Sequence, residues 1–294
     1  MHTYPLLKPA EQLMLPRLIA QPEVIHSKFE DSTHRLWYCE TVDGAMVLKV
    51  CDHHAIAKST FWQGANNLFG AGFPLCLGDI SQTYTFLATH GFLALPDFIA
   101  SQANQFVMTR YLAGQDIDDA MVTERMVIQL ATHISQLHHQ IHPTWGSLHA
   151  PANAANAWGK QLQQVLLQMA AQSTIDIPNS QLQVLVDLAP KIEETNFVPI
   201  MLDLRWDQMR LLSKSATNQL ALIDLDAFVI GPKALELVLL EYLLTIEQFA
   251  LFKQHYTQQH DWPEYNQQKP CYQLLLFLMN VLGERDLDRW MAQH

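Results

Sequence analysis

With 294 residues, 49% of them apolar, the chain is long enough to bury a large core, as one big domain or as two intimate lobes. A formal net charge of -11 with no run of Lys and Arg offers nothing to a phosphate backbone, so no nucleic-acid partner is expected, and an acidic surface suits a cationic small molecule instead. The longest apolar run, YQLLLFLMNVL, has the length of a buried helix and falls short of a bilayer span, so no membrane partner is expected either.

At the start of the chain Pro5 and Pro9 interrupt the segment where a signal peptide needs an unbroken apolar stretch. Cys39, Cys51, Cys76 and Cys271 form no CxxC pair and no metal-knuckle spacing, so they read as thiols without disulfides in a reducing compartment. Both features point to a cytoplasmic protein. Between residues 36 and 50, β-rich segments flank Asp43-Gly44, a strong signal for a hairpin of two antiparallel strands. The following stretch, KSTFWQGANNLFGAGFPL, reads as a helix closed by Gly70 or Gly72 with Pro74 just beyond. A strand-rich region is expected next, with FLALP and QFVMTRYL as two strands running into the flexible junction Ala113-Gly114. Residues 1–112 are therefore expected to form a small first lobe and residues 113–294 a second.

From Asp116 onward, MVTERMVIQLATHISQLHHQI and KQLQQVLLQMA carry apolar residues at intervals of three and four, which predicts a mainly helical second lobe. The exceptions are FVPIMLDLRWDQMRLL and QLALIDLDAFVI, two short apolar segments with aspartates inside, expected to form a small β-hairpin among the helices. A buried aspartate is costly unless it has a partner or a task, and here Asp203 lies in one segment and Asp224 with Asp226 in the other.

The order of these residues matches the parts needed for phosphoryl transfer. That reaction uses an aspartate to orient the acceptor hydroxyl, an oxygen ligand for magnesium five residues later, and a second aspartate bridging the metal to the phosphates. Asp203, Gln208 and Asp224 fall in that order, and Lys49 on the second hairpin strand is placed to contact the α and β phosphates. Arg205, two residues after Asp203, would stabilise charge on the transferred group. Trp206 and Asp226 are weaker candidates for substrate contact, Asp226 also for a second metal. His138 and His142 have a one-turn spacing, but with no third ligand in sight a packing role is preferred to zinc.

Several ordered segments resemble the aminoglycoside phosphotransferase and choline kinase family. HSKFEDSTHRLWYCETVDGAMVLKV is similar to its nucleotide loop and first strands, and QFVMTRYLAGQDI to its hinge. QLATHISQLHHQI resembles the helix ending in Leu-His, here Leu137-His138. PIMLDLRWDQMRLL resembles the catalytic loop, and LALIDLDAFVIGPKALEL the metal segment, with Gly231 and Glu236 at the places of a usual glycine and a structural acid. The resemblance implies an α+β, bilobal, protein-kinase-like fold with a β-rich N-lobe and a larger helical C-lobe. It further implies a phosphotransferase using ATP or GTP with magnesium to phosphorylate a hydroxyl of an aminoglycoside-, choline- or sugar-like molecule. Thr109 to Tyr111 would pair with the base, and Ser32 and Thr33 would contact phosphates in a loop that lacks glycine.

The chain departs from the family pattern at Met201, where a histidine is usual, and at Gln208, where asparagine is usual. No acid lies between Asp52 and Asp79, so the usual helix glutamate facing Lys49 is missing and Gln63 is the nearest polar substitute. The alternative expectation is accordingly a degenerate relative that binds nucleotide or a partner without transferring phosphate.

Overall fold

The Asp43-Gly44 turn forms in the computed structural model, which describes residues 2–26, 32–212 and 219–292. After a short helix α1 (Pro9–Gln12) and strand β1 (Glu23–Ile25), strands β2 (His34–Thr41) and β3 (Gly44–Cys51) pair in antiparallel register around it. Gly44 takes a φ of 107°, a conformation that side chains with a Cβ avoid. Thr41 closes the turn, its hydroxyl donating to the Gly44 carbonyl at 2.8 Å.

Asp52 then caps α2 (His53–Lys58) and Ser59 caps α3 (Thr60–Phe69), each accepting from backbone N–H groups of the first turn. Gly70, at φ 61°, ends α3 as expected. The region expected to be strand-rich opens instead with helix α4 (Ile80–His90). Its buried residues Ile80, Thr83, Tyr84 and Leu87 have helical spacing, which a high content of β-branched and aromatic residues masks in the sequence. FLALP is not a strand; within it Ala94 makes one isolated bridge to Ala221. Strands β4 (Phe98–Gln102) and β5 (Phe106–Arg110) complete a five-stranded sheet of order β1-β2-β3-β5-β4.

The chain continues through β6 (Gln115–Asp116), α5 (Glu124–His138), β7 (Thr144–Ser147), β8 (Asn153–Ala154), α6 (Trp158–Gln172) and α7 (Asn179–Leu188). The two aspartate segments form four strands, β9 (Val198–Met201), β10 (Met209–Leu212), β11 (Gln219–Leu222) and β12 (Phe228–Gly231), rather than one hairpin. Strand β10 pairs with β11 while β9 pairs with β12, so the pairs are nested. The nesting sets the loop after β9 beside the loop after β11. Ile223 donates its N–H to the Gln208 carbonyl and Leu202 donates to that of Ala227, tying the two loops together. Helices α8 (Lys233–Leu243), α9 (Ile246–Tyr256), α10 (Lys269–Leu278) and α11 (Leu287–Ala292) finish the larger lobe. The long apolar run falls in and just after α10, whose residues Cys271 to Leu278 are all buried.

The fold is therefore α+β, with a small sheet-based lobe and a mainly helical one. A compact cluster around Trp37, Met46, Leu48 and Met108 forms the core of the sheet, closed from outside by Tyr4, Leu7, Leu15 and Leu18 of the N-terminal segment. The main core spans the helices and also takes in the inner faces of α3 and α4. Gly64 lets α3 approach closely: a Cβ there would stand 2.6 Å from Met279 and 3.1 Å from Met169. No helix among the described residues is long and apolar enough to cross a membrane.

Candidate active site

A cleft of about 330 Å³ runs between the sheet of the small lobe and the two aspartate loops. Lys49 enters it from β3, because alternation along the strand turns Leu48 and Val50 into the sheet core and Lys49 the other way. Its ammonium donates to Asp224 Oδ1 at 2.7 Å and to Asp226 Oδ2 at 3.0 Å, residues 175 and 177 positions away. Asp203 lies on the floor of the same cleft. Gln208, on the short 3-10 turn Trp206–Gln208, donates from its amide to Asp203 Oδ2 at 3.1 Å. Arg205 approaches both Asp203 Oδ1, with Nε at 3.0 Å, and Asp207 Oδ1, at 3.4 Å. Residues scattered over 177 positions thus share one polar site.

The charges are tuned by burial and by one another. Burial pushes the Asp203 carboxyl up to about 8, against the pull of Arg205, which brings a would-be proton acceptor close to neutrality. Burial also acts to raise the Asp224 carboxyl, but Lys49 outweighs it, and the group is held below the usual carboxylate range. Asp226 is raised to about 6 by burial despite Lys49. Lys49 is raised although burial acts to lower it, because Asp224 and Asp226 overcome that penalty. Burial, aided by Lys49, pushes His34 down to about 3, so its ring is neutral at pH 7.

Among the described residues no group of three or more His, Cys, Asp and Glu is placed to hold a metal ion. The donor set nevertheless suits magnesium, which keeps several waters and takes one or two protein oxygens along with substrate phosphates. Gln208 spends its amide N–H on Asp203, leaving its oxygen for a hard cation, and Asp224 supplies a carboxylate. The His138 and His142 pair is not a metal site: His138 bonds Tyr256 and Glu236.

The other expected site residues divide. Ser32 and Thr33 line the cleft, while residues 27–31 of the expected nucleotide loop lie outside the described residues. The Ser32 hydroxyl donates to the His34 carbonyl, and Thr33 Oγ1 accepts from the Trp62 indole at 3.2 Å. Thr109 and Tyr111 also line the cleft, but Thr109 pairs with Val47 in the sheet and the Tyr111 N–H donates to the Ala45 carbonyl. Trp206 does not face the cleft; it is buried in the main core, and its neighbour Asp207 lines the cleft instead. Gln63 is no substitute for the missing helix acid, since its amide donates outward to the Ala57 carbonyl.

Further cleft residues carry no clear signal in the sequence. His34, at the start of β2, is buried with Nε2 3.5 Å from Asp226. Arg210 on β10 makes a two-nitrogen contact with Asp116 Oδ1, donates to the Leu112 carbonyl at 2.9 Å, and lies 5.2 Å from the centre of the Tyr111 ring. Arg210 alternates with Gln208 two residues before it, and that period is the one pattern that could have placed it in the cleft.

Behind the site, Glu236 on α8 accepts from the Met201 backbone N–H at 2.7 Å and meets His138 Nε2 at 2.9 Å, while His138 Nδ1 meets the Tyr256 hydroxyl at 2.8 Å. The tautomer with its hydrogen on Nε2 satisfies every member of this buried chain. Although Met201 replaces the usual histidine, the loop before Asp203 is still anchored, through the backbone.

No protein-family model matches the chain, and a search of curated proteins finds no match. Solved structures do match. A candidate fructosamine-3-kinase of Haemophilus somnus 129PT covers 97% of this chain and 94% of its own at 16% identity and a TM-score of 0.61. A type VIII aminoglycoside-3'-phosphotransferase covers 88% and 93% at 16% identity and 0.55, and an ethanolamine kinase of Plasmodium vivax covers 93% and 79% at 10% identity and 0.55. At such identities the likeness is one of architecture, and the chain has the bilobal fold of the kinase-like small-molecule phosphotransferases.

Proposed function

We propose that this chain is a kinase that uses ATP or GTP with magnesium to phosphorylate a hydroxyl of a small polar or cationic molecule, within lobes 1–112 and 113–294. The observation that carries the reading is the meeting of Lys49 from the small lobe with Asp224 from the large one, in the cleft that also holds the Asp203 and Gln208 pair. Asp203 would orient the acceptor hydroxyl and take its proton. Gln208 and Asp224 would hold magnesium, which when bound offsets charge on the phosphates. Lys49 would hold the phosphates, with Ser32 and Thr33 beside them, and Arg205 would balance charge on the transferred group. The N–H groups of Arg110 and Tyr111 are taken by the Asp97 and Ala45 carbonyls, so Thr109 to Tyr111 would meet the base chiefly through the side chains that line the cleft, the Tyr111 ring among them.

The acceptor would lie in the same cleft beside Asp203, which Asp207 also lines. Carboxylates there favour an amine-bearing or polyhydroxylated acceptor. The kinases and phosphotransferases of the same fold, acting by name on fructosamines, aminoglycosides and ethanolamine, support that class. A panel of aminoglycosides, amino alcohols and sugar amines incubated with MgATP, read by mass spectrometry, should give a phosphorylated product. Nucleotide binding without a product from any member would favour the degenerate reading.

A further inference from the structure

In kinases the phosphate-binding lysine is steadied by an acid on the helix that follows it. Helix α3 has no acidic residue, and two of its polar side chains are committed elsewhere: Gln63 to Ala57, and Asn66 to both backbone groups of Phe73. Its inward residue is Trp62, which stacks on Phe73 with ring centres 3.6 Å apart and reaches Thr33. The helix is also fixed to the large lobe, through Gly64 against Met279 and Met169 and through Phe69 against Trp158. Helix α3 therefore neither carries an acid nor has room to swing one in.

Lys49 nonetheless has two anionic partners, and they differ in exposure. Both line the cleft, but the Asp224 side chain is 29% exposed, while that of Asp226 is only 5% exposed and sits beside His34. A cation with its phosphates entering the cleft competes for Asp224 first. Resting on the kinase reading above, we infer that Asp226 is the positioning residue of Lys49, doing from the loop after β11 what a helix acid does in other kinases. Lys49 keeps this partner when Asp224 is drawn to the metal. Because that loop is tied to the loop of Asp203, the lysine and the acceptor-orienting aspartate are set by one rigid unit, and no movement of α3 is needed to assemble the site.

The test is a double-mutant cycle of Lys49→Met and Asp226→Asn, read in two ways. The first is release of phosphate from saturating MgATP. Asp226→Asn should lower turnover by about tenfold or more, leave the half-saturating magnesium concentration unchanged, and cost less than about twofold further when Lys49→Met is already present. Asp226→Glu should recover part of the loss. A raised magnesium requirement would make Asp226 a metal ligand, and fully additive losses would uncouple it from Lys49; either result overturns the inference. The second reading is the thermal midpoint of the ligand-free proteins. The shift caused by Asp226→Asn should differ between the Lys49 and Lys49→Met backgrounds, and equal shifts would contradict the pairing. If the unmutated protein binds no nucleotide, it is the kinase reading that fails, and that is seen before any variant is compared.

Discussion

Asp203→Asn should lower phosphoryl transfer by roughly 10²–10⁴-fold, the usual contribution of a positioned acid or base. Asn keeps the shape of the side chain and an oxygen to accept the Gln208 amide at the 3.1 Å contact. It removes the second carboxylate oxygen's charge, which pairs with Arg205 at 3.0 Å, and it cannot take a proton from the acceptor. Lys49, Asp224 and the base-binding segment are untouched, so affinity for MgATP should stay within a few fold. Calorimetry beside turnover on whichever acceptor the panel yields separates the two quantities. Equal transfer by the variant would remove Asp203 from the mechanism, and a parallel loss of nucleotide affinity would assign it to binding instead.

A second large effect is expected at Glu236, which touches no part of the cleft's polar floor. Its carboxylate, 2% exposed, is the acceptor for the Met201 N–H and the partner of His138 Nε2. Glu236→Ala leaves two buried donors without acceptors, at about 1–3 kcal/mol each. The thermal midpoint should fall by several degrees, at roughly 2–4 °C per kcal/mol in large domains. Turnover should fall as well, because Met201 begins the loop that sets Asp203. Glu236→Gln can still accept from Met201 through its amide oxygen, and the His138 ring can change tautomer to meet the amide N–H. Most of both losses should therefore be restored. If the alanine variant melts with the unmutated protein, the buried chain is not holding the loop.

These two residues also mark how much the sequence discloses. Local chemistry is legible: Asp43-Gly44 forces a turn and Gly70 ends a helix. Lys49, Asp203, Gln208 and Asp224, singled out by their order along the chain, line one cleft, since spacing along a loop survives folding. Helix α4 was not legible, because β-branched and aromatic residues in its sequence mimic a strand while its buried face obeys the helical period. The outward and inward sides of a short 3-10 turn could not be told apart either, which is why Trp206 stood as a substrate candidate although Asp207 faces the cleft. What depends on pairing at a distance was invisible. The partner of Lys49 was sought within one helix nearby and came from Asp226, 177 positions on. The ladder that occupies the Tyr111 amide is set by Ala45 across the sheet.

Whether Lys49, Gln208 and Asp224 form a metal-dependent nucleotide site can be tested without knowing the acceptor. Titrating the purified protein with ATP in the presence and absence of magnesium, alongside Asp224→Ala, should give saturable heat that requires the metal and is weakened at least tenfold by the substitution, about 1.4 kcal/mol. The absence of binding, or binding indifferent to both magnesium and Asp224, would rule out a nucleotide site built on these residues.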